Sequence, residues 1–269
     1  MRELERKPSA DDDPSCPSLA IIGQGRVGAA LVAALDAEPP GGGGRKYGVR
    51  GPLGRGAQCS GADAVLLCVP DHEIAAAAAA VARGPLVGHC SGATPLTVLQ
   101  PHEAFSLHPL MTVTGAGTTF AGAGAAIAGT TTRALSFARR LADALGMQAV
   151  EIEGRDRAAY HAAASIASNF LVTLEAAAER VAHSAGVERE LLVPLVRATV
   201  ENWASMGPDR ALTGPVARGD RATVAAQRAA VAERAGDLLP LFDALVQATQ
   251  ALGQTQPDRD ASSPEAAAA

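Results

Sequence analysis

The sequence predicts an α/β protein in which a doubly wound parallel sheet is followed by an all-helical second domain. Three observations predict this. Short apolar runs alternate with helical stretches from Ser18 to about Gly154. A Gly-x-Gly-x-x-Gly turn joins the first apolar run directly to the first helical stretch. Beyond Gly154 no strand-like run occurs, and Ala- and Leu-rich helical patterns take over. A chain of 269 residues is also near the size at which one core divides into two. The expected organisation is a tail over 1–17, a sheet domain over 18–154, a helical domain over 155–253 and a second tail over 254–269.

Each element follows from its own pattern. "SLAIIG" is an apolar run ending in glycine, and "RVGAALVAALDA" after it has helical spacing. "YGVR", "AVLLCVP" and "PLVGHCS" read as further strands, with "DHEIAAAAAAVA" as a helix between the last two. "EAFSLHPL" and "AGAAIAG" follow as strands, then a helix from about Thr132 to Leu145 and a closing strand "MQAVEIE". In the second half, "AAYHAAASIASNFLVTLEAAAER" is one long helix that Asp156 is placed to cap. "ERELLVPLVRATVENWASM" makes a second helix, "PDRALTGPVARGD" a loop, and two more helices run from about Asp220 to Leu252. The Pro, Ser, Asp and Ala content of both ends is that of flexible tails.

Composition narrows the function. A net charge of −5 disfavours nucleic acid as a partner, because phosphate binding needs a basic surface. Aromatic residues are 3% of the chain, so the core must be built from Ala, Val and Leu. Cys16, Cys59, Cys68 and Cys90 form no C-x-x-C pair, and two lie in strand-like segments, as expected of reduced thiols in a cytoplasmic protein. "MRELERKPSADDDPSCPS" lacks the apolar core of a signal peptide, and no apolar run of membrane-spanning length follows. The six histidines show no metal-ligand spacing, no P-loop is present, and "GHCSGA" lacks the register of a nucleophile elbow. No metal is expected.

The glycine turn carries the first functional signal. In "IIGQGRVGAAL", Gly23 permits a tight turn, Gly25 lets backbone N–H groups approach a pyrophosphate, and Gly28 lets helix and strand pack closely. Gln24, Arg26 and Val27 complete the loop. This is the arrangement of a Rossmann-type dinucleotide site. An NAD site would place an acidic residue at the end of the second strand, yet "YGVRGPLGRG" offers Arg50 and Arg55, and no Asp or Glu lies between Glu38 and Asp63. A guanidinium there favours NADP(H), whose 2′-phosphate it binds bidentately, unless these arginines are only solvated loop charges. Val69 and Pro70, at the carboxyl end of the third strand, are further cofactor-side candidates.

The long helix carries the second signal. At about 100° per residue, His161, Ser165, Ser168 and Asn169 fall within roughly 100° of one another, so these uncharged polar groups share one face. Facing a nicotinamide, His161 would protonate a carbonyl or imine, with Ser165 and Asn169 as hydrogen-bonding partners. The alternative is a stripe of buried groups that satisfy one another. Thr213, Gly214 and Arg218 combine turn residues with a guanidinium suited to a substrate carboxylate, and Asp220 beside them is either part of that loop or a helix cap. His108, after the fifth strand, is a substrate-side candidate with an equally available structural role.

"IIGQGRVG", "LLCVPD", "SLHPLMT", "YHAAASIASNFLVTL" and "LTGPVARGD", in this order, resemble the Rossmann-like proteins with a C-terminal domain of unknown function. These are grouped with the pyrroline-5-carboxylate reductases, ketopantoate reductases and 6-phosphogluconate dehydrogenases. The resemblance spans Ser18 to Leu252. It implies NADP(H) binding and a homodimer built through the helical domain. Related dehydrogenases use a lysine and an asparagine on the first long helix; Asn169 matches the asparagine, but no lysine follows Lys46. "TGPVARGD" is similar to the substrate loop of the pyrroline-5-carboxylate reductases. The expectation is an NADPH-dependent reductase of a small carboxylate-bearing carbonyl, such as ketopantoate, or imine, such as pyrroline-5-carboxylate. The missing lysine keeps a second class open, an NADP-binding sensor or partner-binding protein without turnover.

Overall fold

In the computed structural model of the chain, residues 16–37 and 46–254 are described. Both expected tails lie outside them except for Cys16, Pro17 and Gln254, as does Arg45. The chain divides into two compact units, 1–168 and 169–269.

The first unit is built on a seven-stranded sheet of order β2-β1-β3-β4-β5-β6-β7. Its strands are β1 (Ser18–Ile22), β2 (Gly48–Leu53), β3 (Ala64–Leu67), β4 (Leu86–His89), β5 (Ala104–Leu110), β6 (Gly124–Gly129) and β7 (Gln148–Glu151). β3 and β4 are buried at every residue, as expected for central parallel strands covered on both faces. Alternation in β1 sends Leu19 and Ile21 into one core and Ala20 and Ile22 into the other. α1 (Arg26–Asp36) and α3 (Thr132–Ala144) cover the first face, where Leu31, Phe105, Phe137 and Leu141 pack. α2 (Ile74–Ala79) covers the second with Ile74 and Ala78.

The structure differs from the sequence reading in several places. The sheet is mixed, because β5 and β6 pair antiparallel with His108 opposite Ala126. No helix separates these two strands, and an antiparallel pair needs no helical crossover. β2 continues past Arg50 to Leu53, carrying Pro52 on the outermost strand, where a missing N–H leaves no ladder bond unmade. His108 lies within β5 rather than after it. The helix expected over "DHEIAAAAAAVA" is a 3₁₀ turn, Asp71–Glu73, followed by the six residues of α2. Asp156 precedes its helix but makes no side-chain cap; its carboxylate lies 3.7 Å from Arg155 instead.

The expected long helix is α4 (Arg157–Ser165), a π-helical turn (Ile166–Phe170) and α5 (Leu171–His183). The division between the two compact units falls inside that turn, and the start of α4 is anchored to the strand ends. A π turn also departs from 100° per residue, so the single-stripe count does not carry across Ile166–Phe170.

The second unit is helical, with α5, α6 (Arg189–Met206), α7 (Pro208–Ala211), α8 (Arg221–Arg234) and α9 (Leu239–Gln254). Paired bonds of 2.9 Å from Arg180 to Asp237, and of 2.8 and 2.9 Å from Arg228 to Asp243, tie its exposed faces. Asp220 is a helix cap: its carboxylate accepts from Thr223 N at 3.0 Å at the start of α8. No helix among the described residues is long and apolar enough to cross a membrane.

Candidate active site

The glycine turn between β1 and α1 is shaped by contacts that exclude side chains. Gly23 has φ +125°, and a Cβ built on it would lie 2.2 Å from the Cys68 carbonyl oxygen. On Gly28 a Cβ would lie 1.9 Å from Gly23 O, so helix and turn touch main chain to main chain. Gly25 differs, since a Cβ there meets nothing within 4 Å. It is exposed with Gln24 and Arg26, it precedes α1 without a side-chain cap, and no acidic residue occupies the first helical turn. Free N–H groups at an open helix start, with no competing carboxylate, fit a pyrophosphate. Gly23 N donates to Leu53 O at 2.9 Å, tying this turn to the end of β2.

Beside that end lies a hollow whose lining includes Ile22, Arg55, Gly56, Val69, Glu73 and Ala77. Arg55 lies two residues past the end of β2, whereas Arg50 sits within the strand and donates to Ser60 O at 3.2 Å. Arg55 is not alone: its guanidinium is 2.5 Å from Glu73 Oε1. Pro70 is exposed just before this carboxylate.

A second group of polar side chains gathers at the carboxyl ends of β3, β4 and β5. Ser91 Oγ donates to Asp71 at 2.7 Å and accepts from Thr94 N at 2.9 Å. Arg157, 4% exposed, reaches from the first residue of α4 to Ser91 O at 2.7 Å and to Ser106 Oγ at 3.1 Å. One turn on, the Tyr160 hydroxyl lies 2.8 Å from His108 Nδ1, and His161 packs edge-on to His108 with ring centroids 6.0 Å apart. Gly92 makes room for both rings. A Cβ there would lie 2.7 Å from His161 Nδ1 and 3.0 Å from His108 Nε2. His161 Nδ1 is buried and has no hydrogen-bond partner among the described residues.

Burial and neighbouring charge set the state of two imidazoles in this cluster. His108 is pushed down to about 4, first by burial and then by the charges of His161 and Arg157, against the opposing pull of Asp71. His89, buried in β4, is likewise lowered to about 4 by burial and then by Arg157. Its Nδ1 accepts from Ser91 N at 3.2 Å, so the ring proton sits on Nε2. Burial raises the Tyr160 phenol, which stays protonated. A neutral His108 bonded to the half-buried, protonated Tyr160, with His161 edge-on to it, can accept, donate and relay a proton.

Of the residues singled out from sequence, the structure brings His108 and His161 together and leaves Ser165 half-buried in the first unit. Asn169, Thr213, Gly214 and Arg218 belong to the second unit, where Asn169, Thr213 and Arg218 are exposed and Gly214 takes φ +100°. Arg157, Tyr160 and Glu73 escaped sequence reading. Tyr160 adjoins His161 and was open to notice as one of only two tyrosines; nothing local marked Arg157 or Glu73. Among the described residues no group of three or more His, Cys, Asp or Glu is placed to hold a metal.

Comparison with known proteins agrees with the resemblance and the fold. Residues 123–249 match the model of the Domain of unknown function (DUF2520). A candidate NADP oxidoreductase, BF3122 of Bacteroides fragilis, is 18% identical; the match covers 88% of this chain and 99% of that one, with a TM-score of 0.72. Protein TM1727 of Thermotoga maritima is 24% identical over 88% and 98%, also at 0.72. The pyrroline carboxylate reductase of Plasmodium falciparum, solved with NADP bound, is 11% identical over 89% and 99%, at 0.55. At these identities the likeness is one of fold alone. No curated protein matches the sequence.

Proposed function

We propose that this Rossmann-like chain, with its DUF2520 region, is an NADPH-dependent oxidoreductase that reduces a small carboxylate-bearing carbonyl or imine, a ketopantoate-like 2-keto acid or a pyrroline-5-carboxylate-like cyclic imine. One observation carries the proposal. A buried imidazole nitrogen, His161 Nδ1, has no hydrogen-bond partner among the described residues and adjoins the His108–Tyr160 bond at the carboxyl ends of the strands, where ligands of such sheets bind. An unpaired polar atom in that position suits a substrate oxygen or nitrogen.

The backbone of Gly23 to Gly28 would hold the pyrophosphate, with Arg55 and Val69 beside the adenosine end. When bound, NADPH supplies the hydride. His161 donates the proton that the reduced oxygen or nitrogen requires, and the Tyr160–His108 bond holds the neighbouring ring in one orientation. Arg157 fixes the first turn of α4 on the strand ends, so that Tyr160 and His161 are presented by a rigid element. Ser165, Asn169, Thr213, Gly214 and Arg218 enter on residue chemistry: hydroxyl and amide groups to bind a polarised atom, and a guanidinium for a carboxylate. Exposed Phe170, Val172, Leu191, Leu195 and Trp203 favour a homodimer through the helical unit.

An NADPH-oxidation screen over 2-keto acids and cyclic imines tests the reading, and inactivity of pure, NADPH-binding protein on every member would overturn it. Coenzyme preference tests the Arg55 assignment. NADPH is expected to bind at least about tenfold more tightly than NADH, as a charge-assisted contact worth roughly 1.5–3 kcal/mol implies. Arg55→Ala should erase the gap, and Glu73→Gln, which releases the guanidinium from its partner, should widen it. Equal affinities in the parent protein would count against Arg55 as the phosphate ligand.

A further inference from the structure

Two cysteines stand side by side beneath the glycine turn. β3 and β4 run parallel with Leu67 opposite His89, and Cys90 N donates to Leu67 O at 3.3 Å, extending the ladder so that Cys68 faces Cys90. Neighbouring strands are about 4.8 Å apart, within the ~4.4–6.8 Å Cα separation of disulfides. Both side chains pack on the face of the first core cluster, with Sγ atoms 3.6 Å apart, and both residues are partly exposed.

Cys68 is also the floor of the turn. Its N–H donates to Ile22 O at 2.7 Å. A Cβ on Gly23 would lie 2.2 Å from its carbonyl oxygen and 3.1 Å from its own Cβ, and a Cβ on Gly28 would lie 3.4 Å from that same atom. The turn has no slack against this residue. Val69 and Pro70, the next two positions, lead to the hollow beside Arg55.

We propose that Cys68 and Cys90 form a redox-sensitive pair whose disulfide weakens dinucleotide binding. The coupling to binding rests on the cofactor reading above; the pair itself does not. A peroxide is the oxidant. It converts the Cys90 thiol to a sulfenic acid, releasing one water. The Cys68 sulfur then attacks the sulfenic sulfur, the S–S bond forms as the S–O bond breaks, and a second water leaves with the Cys68 proton. The peroxide thus takes the two electrons that the thiols lose, and a dithiol reductant reverses the change. The Cys68 thiol is held protonated, by its hydrogen bond to Cys90 first and by burial second. Closing 3.6 Å to the ~2.05 Å of a disulfide draws Cys68 sideways under a turn packed to main-chain contact.

The test treats the full chain with hydrogen peroxide, maps cross-linked peptides by mass spectrometry, and titrates NADPH before treatment, after it, and after dithiothreitol. The expected result is a Cys68–Cys90 cross-link, an NADPH affinity at least about tenfold weaker, equivalent to roughly 1.4 kcal/mol, and recovery on reduction. Cys90→Ala should abolish both the cross-link and the loss. Peroxide treatment that leaves Cys68 and Cys90 unlinked would overturn the pair, and a cross-link with unchanged affinity would overturn the switch. If the reduced protein binds neither NADPH nor NADH, the cofactor reading and the switch both fail, while the peptide map still decides the disulfide.

Discussion

Alanine at His161 is expected to lower turnover by about 10²-fold or more while NADPH affinity and melting temperature stay close to those of the parent protein. The expectation follows from what His161 lacks. Its buried Nδ1 makes no hydrogen bond within the described protein, so truncation breaks no such bond there and removes a desolvated polar atom. The stability change should remain within about 1 kcal/mol, whereas loss of a proton donor acts in the transition state. Asn169→Ala should behave alike if its amide holds the developing charge, with turnover falling by about 10²-fold at constant melting temperature. A structural role has the opposite signature. A large drop in melting temperature with normal turnover per folded molecule, in either variant, would return this helix to plain architecture. The comparison uses the substrate identified in the NADPH-oxidation screen.

Acid is expected to destabilise the fold from about pH 6.5 downward. His89 and His108 are both held down to about 4, mainly by burial and then by neighbouring positive charge. In the unfolded chain these imidazoles take up protons as the pH falls through about 6.5. The folded chain does not follow until about 4. Between those values the unfolded state binds more protons, so stability present above about pH 6.5 drains away as the pH falls. A shift of that size corresponds to on the order of 3 kcal/mol for each ring, a large share of a typical domain's stability. His89 shows the local reason: protonating Nδ1 breaks its bond from Ser91 N and places a charge near Arg157. The lowered carboxylates of Asp220, Asp237 and Asp243 lose their contribution only at lower pH. Melting temperatures read from about pH 7 to about pH 4.5 check this, and a flat profile would show that the two rings titrate normally.

The glycine turn was legible because its demands are local. A strand must reverse into a helix within a few residues, and contacts of 1.9 and 2.2 Å to a missing Cβ leave glycine as the only fit at Gly28 and Gly23. Asp220 was legible as a cap for the same reason, since donor and acceptor are three residues apart. The order of strands and helices followed from periodicity, which is also written within each segment. The direction of β6 was not, because alternation along a strand is the same whichever way its neighbour runs.

The candidate site divides along the same line. His108 and His161 stood out from sequence as titratable groups near strand ends and on a small-residue helix, yet their meeting over Gly92 depends on a missing side chain far from both. Arg157 reads as an ordinary surface arginine until its bonds to Ser106 and Ser91, 51 and 66 residues away, bury it. Arg55 reads as a free cation until Glu73 arrives from beyond β3. By itself the sequence determined the α/β alternation, the dinucleotide-type turn and the helical second half, because sterics and hydrophobic period act within a handful of neighbouring residues. Only the tertiary structure decided which polar groups are paired, which are stranded and where the first unit ends, because desolvation and hydrogen bonding are settled between side chains that the chain itself keeps far apart.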